Sequence, residues 1–212
     1  MTNFIPIFPL GVVVYPGEKL NLHIFEPRYR QLVAECVESR KPFGIPAVIN
    51  GEVKEMGTLV SITEVSKTYE DGTMDIKSEG LEVFKVLEII KELPDKMYSG
   101  AIVTYPPNDF AGSPAMMKVI LTAVRQVYNK LEVSKDFQKS DDDIRSYDVA
   151  HLVGLSLEEE YLVLELQSEL HRQEFLKRHL ARVLPIMNEM DSLKKKIKLN
   201  GHFKSLGGFN FK

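Results

Sequence analysis

Cysteine is almost absent from this 212-residue chain: Cys36 is the single example. One thiol excludes an internal disulfide and a cysteine-based zinc cage, and it fits a reducing compartment. No apolar run approaches the ~20 residues of a membrane-spanning helix. The first basic residue, Lys19, follows the apolar N-terminal stretch instead of leading it, and Pro6, Pro9 and Pro16 interrupt any helix there. A signal peptide is therefore not expected, and the expected location is the cytoplasm. The phosphate-cradling pattern GxxxxGKS/T, the serine-hydrolase elbow GxSxG and the zinc motif HExxH are all missing. An excess of basic residues is missing too. Lys and Arg number 27 against 30 Asp and Glu, a net charge of −3, so the surface as a whole is not built to grip nucleic acid.

What remains is ordinary globular composition, 44% hydrophobic and 27% charged. The length suits two small subdomains with a sizeable core. The charge is uneven. Beyond Asp191 no acid occurs, and Lys194, Lys195, Lys196, Lys198, Lys204 and Lys212 carry +6 there, which leaves −9 for residues 1–191.

Residues 1–105 read as strands. Segments 4–8, 20–25, 43–49, 57–69, 73–79, 81–92 and 97–105 are rich in branched and aromatic residues with turn signals between most of them. Pro16-Gly17 suits a type II turn, and Asp71-Gly72 a hairpin. Gly80 reads as a bulge or bend between two strands. One helix interrupts: Pro27 fits a first helical position, Glu26 favours the positive end of the dipole, and Tyr29, Leu32, Val33, Cys36 and Val37 share a face. The stretch 105–113, YPPNDFAGS, reads as a linker. Helical spacing then dominates. Ser156 and Glu159 form a capping-box pattern. From about Ser168 a long helix carries a narrow seam of Leu176, Leu180, Val183, Met187 and Met190, which Pro185 is expected to kink or divide. Strands first and helices second argue for an α+β fold.

The landmarks over residues 5–92 come in a specific order: IPIFPLGVVVYPGEKLNLHIFEPRYRQLV, FGIPAVI, MGTLVSITEV, the Asp-Gly hairpin, and EGLEVFKVLEI. This series resembles the N-terminal substrate-binding domain of Lon proteases. HIFEPRYR resembles the stand-alone bacterial proteins of that type, and HLVGLSLEEEYLVLELQSELHRQEFL is similar to the helical half of the domain. The resemblance implies an N-terminal PUA-like β pseudo-barrel with one inserted helix over residues 1–108 and a C-terminal helical bundle over 109–199. Residues 200–212 are left as a basic and aromatic tail. It also implies a non-enzymatic module for unfolded or damaged protein segments, with the Lon ATPase and protease domains expected to be missing. A separate ATPase or protease is then an expected partner, and the expected state is a monomer or weak dimer. No cofactor and no metal are expected.

The residues leave alternatives open. Tyr105, Phe110, Met116 and Met117 flank the linker and offer an adaptable apolar peptide-binding surface, or else ordinary core. Pro9, Pro16, Gly17, Phe25, Glu26, Pro27, Arg28, Tyr29 and Arg30 read as structural: Phe25 and Tyr29 as core, Arg28 and Arg30 as ties to Glu26 or nearby acids. His171 and His179, roughly 80° apart on a helix, read as solvated. The Asp141–Asp143 run reads as a solvated loop. Cys36 reads as an inert core thiol. The tail, with Phe203, Phe209 and Phe211 among its lysines, would suit nucleic acid or an anionic membrane, but neither partner is favoured over a solvated helix end.

Overall fold

Branched and aromatic residues alternate with polar ones through the first half, and strands form there. The computed structural model describes residues 2–133, 137 and 139–205. Its strands are β1 (Thr2–Pro6), β2 (Lys19–Ile24), β3 (Phe43–Ile49), β4 (Glu52–Thr68), β5 (Met74–Ile90) and β6 (Gly100–Thr104). Helix α1 (Pro27–Ser39) lies between β2 and β3, and α2 (Pro114–Lys130), α3 (Ser146–Ala150), α4 (Leu157–Glu165) and α5 (Glu169–Ser205) follow the strands. The architecture is mixed α and β, with a six-stranded antiparallel sheet.

The strand order is β1-β6-β5-β4-β3, and β2 pairs with β5 off this path. Past β1 the chain bridges in parallel to β3, Ile7 to Gly44 and Leu10 to Ala47. That seam joins the two ends of the path, so the sheet closes on itself. Ile5, Ile7, Leu59, Phe84, Ala101 and Val103 fill one interior cluster. Helix α1 presses Tyr29, Leu32, Val33 and Cys36 against Phe8, Phe43, Ile45, Val60 and Ile76. Each fully buried aliphatic side chain of this kind contributes about 1.5–3 kcal/mol.

The third and largest cluster joins the two halves. Ile120, Leu121 and Val124 of α2, Val163 and Leu164 of α4, and Leu176 and Leu180 of α5 pack with Val13, Tyr15, Ala47, Met56 and Val83. The helices thus bury a face of the strand half, and apolar packing runs continuously across residue 108.

Local chemistry explains most boundaries. Pro27 sits in the first turn of α1, and Arg40 ends that helix in a left-handed conformation. Gly17 takes the positive φ, +82°, that a type II turn after Pro16 demands. Ser113 caps α2, its hydroxyl accepting from the Met116 N–H. Ser156 and Glu159 cap α4 reciprocally.

Several expectations are corrected. Segments 73–79 and 81–92 form one strand, β5, rather than two, and the bulge expected at Gly80 is present as a register irregularity in its pairing with β4. Gly80 is small because the Tyr15 carbonyl lies where its Cβ would be. Strand β4 begins earlier than expected, at Glu52, since pairing to β3 draws in a polar stretch. Phe25 is 62% exposed, not core. His179 is buried rather than solvated, while His171 is exposed. Pro185 does not divide α5, which continues through it. The seam on α5 is buried at Leu176 and Leu180, half-buried at Val183 and Met187, and open at Met190. The backbone of 200–205 continues α5. The side chains of Asp191 and of Leu193 onward, and all of residues 206–212, lie outside the described residues.

Candidate binding surface

The loop between β6 and α2 is pinned to the start of α5. Asp109 N–H donates to the Gln167 carbonyl, and Glu169 N–H donates to the Asp109 carbonyl. Beneath lies a buried ion pair, Arg172 to Glu169 at 3.0 Å, both side chains essentially inaccessible. A buried charge is tolerated only with its hydrogen bonds satisfied. Here Arg172 donates to Asn108 Oδ1, Tyr147 Oη and the carbonyls of Leu166 and Asp109, while Glu169 accepts from the N–H and hydroxyl of Ser146. The sequence held a signal for this pair that was missed. Glu169, Arg172 and Gln173 fall on the same helical face as Leu176 and Leu180.

The four residues singled out around the linker separate. Tyr105 packs beside the Phe84 cluster of the strand half. Met117 is 4% exposed in the joint core, and Met116 is half-buried against it. Phe110 keeps 37% of its surface, with the Arg145 and Arg172 guanidiniums 5.2 and 5.6 Å from its ring centroid. Phe110 and Met117 do share a small cavity of about 180 Å³, rimmed by Arg145, Asp141 and Asp142.

The motif HIFEPRYR divides by residue. Arg28 pairs with Glu26 at 2.7 Å and lies over the Tyr29 ring. Arg30 donates to the Asp71 carbonyl at 2.6 Å, tying α1 to the β4–β5 hairpin. His23 meets Asp75 at 2.6 Å, and Tyr69 donates to the same carboxylate at 2.7 Å. Phe25 stacks on His23 at 6.2 Å and otherwise faces solvent. Cys36 is buried, and burial, with Glu35 beside it, pushes its thiol up to about 11.

A second polar cluster bridges the halves. His151, just past α3, has Nε2 3.1 Å from Glu18 and Nδ1 2.7 Å from Glu160. Its ring also lies 4.6 Å from that of Tyr15. Tyr15 donates to the Glu160 carbonyl and stacks on Tyr147. Burial would push the His151 pKa down, but the two carboxylates reverse this and hold it at about 9. No local pattern could announce a contact between residues so far apart in sequence.

An apolar groove of about 550 Å³ lies between α2 and α5. Val119, Ile120, Ala123, Leu180, Ala181 and Leu184 line it, with Lys118 and Lys177 at its margins. Among the described residues, no cluster of three or more His, Cys, Asp or Glu side chains is arranged to hold a metal ion. No helix among them is long and apolar enough to cross a membrane.

This sheet-and-helix arrangement is the Lon N-terminal domain fold. It is similar to the Lon N-terminal domain protein of Xanthomonas campestris, with a TM-score of 0.65 and 24% identity, over 82% of this chain and 96% of that one. It is also similar to the N-terminal domain of the Mycobacterium avium complex Lon protease, with a TM-score of 0.58 and 12% identity, over 86% and 100% of the two chains. The chain belongs to the ATP-dependent protease La (LON) substrate-binding domain family, whose model matches residues 5–182. A stretch of 90 residues is 32% identical to protein cereblon of Gallus gallus, covering 40% of this chain and 20% of that protein. The chain thus spans about a fifth of that curated relative.

Proposed function

We propose that the protein is a non-enzymatic module that recognises exposed segments of unfolded or damaged polypeptides. The family match across residues 5–182 carries this reading. The groove between α2 and α5 supports it, because an apolar concavity accepts side chains that folded proteins keep buried. Phe110 adds a half-open ring at the junction of the halves. In this reading the closed sheet is a PUA-like pseudo-barrel that fixes α1 and the inter-half contacts, and the later helices form a bundle that shapes the groove. A separate ATPase or protease would act on what the module holds.

The test is titration of the full chain with a reduced, carboxymethylated model protein and with its native form. Binding of the unfolded form alone is expected. Equal or absent binding of both overturns the reading. Cleavage of the unfolded form that survives purification, and is lost on one named substitution, would make the protein an enzyme instead.

A further inference from the structure

Strand β2 has one open side. It pairs antiparallel with β5, Lys19 to Glu79 through Ile24 to Met74, and among the described residues no strand or bridge lies along its other side. The hydrogen bond from Gly80 N–H to the Glu18 carbonyl, 2.9 Å, fixes which groups face which way. Hydrogen-bonded pairs recur at every second residue of an antiparallel ladder. Leu20, Leu22 and Ile24 therefore turn their N–H and C=O groups toward β5. Lys19, Asn21 and His23 turn theirs to the open side.

Side chains alternate along the same strand. Lys19, Asn21 and His23 are exposed, Leu20 and Leu22 are half-buried, and Ile24 is fully inside. The usual protections of an open strand are sparse: β2 contains no proline, no bulge within its ladder to β5, and one lysine at its very start. At its far end stands Phe25, 62% exposed, its ring stacked on that of His23.

From this geometry we propose that the outer edge of β2 captures an extended segment of client polypeptide as an added strand. Resting on the polypeptide-binding reading above, this names the form in which the client is held. The unpaired main-chain donors and acceptors of three alternate residues match another extended backbone and little else. Main-chain bonding ignores the client's side chains, which suits a binder of many sequences. Preference comes from the flanks. Alternate apolar residues of the client would lie beside Leu20 and Leu22 and complete their burial, and an apolar residue at one end would meet Phe25. Most backbone groups of a folded protein are already paired, so the edge favours unfolded chains over folded ones.

The experiment uses the full chain and a fluorescein-labelled, end-capped octapeptide of alternating Thr and Val. A second peptide carries N-methyl groups on residues 4 and 5, which removes donors from both of its edges. The unmodified peptide is expected to bind, and the N-methylated one at least tenfold more weakly. Asn21→Pro removes an outward N–H that no bond among the described residues uses, a place where proline is tolerated in sheets. It should weaken binding at least tenfold while the melting temperature stays within a few degrees. Hydrogen exchange should show the amides of Asn21 and His23 slowed by the peptide. Equal affinity for the two peptides overturns the proposal, as does undiminished binding by folded Asn21→Pro. Protection confined to α2 and α5 overturns it too. So does a concentration-dependent dimer abolished by Asn21→Pro without peptide binding, which would assign the edge to a second copy of the chain. If Asn21→Pro does not fold, the peptide pair still decides with the unaltered protein. Unfolded protein that binds Asn21→Pro as tightly as the parent removes the edge but leaves the polypeptide-binding reading standing, whereas no binding by the parent removes that reading itself.

Discussion

His151 lies 3.1 Å from Glu18 although 133 positions separate them in the chain. The contact ties the helical half to the turn that leads into β2, and Glu160 holds the other ring nitrogen. Glu18 in turn accepts from the Tyr15 N–H, so one imidazolium stabilises both the turn and the approach of α4.

This arrangement predicts a stability that depends on pH. The folded-state pKa of His151 is raised above its ordinary value, to about 9. Its contribution is therefore fully present below about pH 6.5 and is lost as the pH rises through about 9. Because the group is partly solvated, the discounted contribution is about 1–2 kcal/mol. Denaturant melts of the parent and His151→Gln should differ by this amount at pH 6 and converge by pH 10. A gap that is constant with pH would contradict the assignment.

Arg172→Leu should be among the most damaging single changes. It strands the Glu169 carboxylate in the core, at a cost of about 3–5 kcal/mol. Adding Glu169→Gln removes the stranded charge yet keeps an acceptor for Ser146, so the double variant should recover part of the loss. Urea titration of both variants checks this. A double variant less stable than Arg172→Leu would refute it.

Gly80→Ala should destabilise by about 1–3 kcal/mol, because the new methyl meets the Tyr15 carbonyl, a backbone atom with little room to yield. Gly11→Ala is the control: its nearest contact, the Val48 carbonyl, is an ordinary 3.9 Å away. Thermal melts should separate the two. Equal melting temperatures would show that β5 and the Tyr15 turn can part without loss.

Cys36 should be silent toward thiol reagents in the native protein. Its side chain is buried and its thiol is held at about 11, so little thiolate forms at pH 8. Reaction with a chromogenic disulfide should be complete in 6 M guanidinium and slower by orders of magnitude without it. Fast native labelling would place the thiol at the surface.

Much of the fold was legible because its signals are local. Pro27, the Pro16-Gly17 turn, the Asp71-Gly72 hairpin and the Ser156–Glu159 capping box each act within a few residues. The same locality explains the failures. Phe25 looks like core by composition, yet it follows the last inward residue of β2 and points outward. His179 looks like surface until Val153 is known to receive its Nε2 hydrogen bond. Gly80 reads rightly as a bulge or bend, but a glycine at a bulge inside one strand carries the same letter as a glycine between two, so the pattern splits β5. The site was less legible still. Tyr105, Phe110, Met116 and Met117 are neighbours in sequence, but the sheet draws Tyr105 inward and α2 turns Met117 to the core, which leaves Phe110 most open. The outer edge of β2 was invisible, since whether a strand has one neighbour or two depends on the whole topology.

The pairing of Thr2 with Thr104 bears on how the protein is made. Strand β1 has no place in the sheet until β6 has emerged. At synthesis rates of about 5–20 residues per second, β1 waits roughly 5–20 seconds for its partner. Gly44, which Ile7 bridges, lies well before Thr104 in the chain, so the seam with β3 becomes available earlier than the pairing with β6. Closure through residues 7–10 would therefore shorten the interval in which β1 lies without a sheet partner.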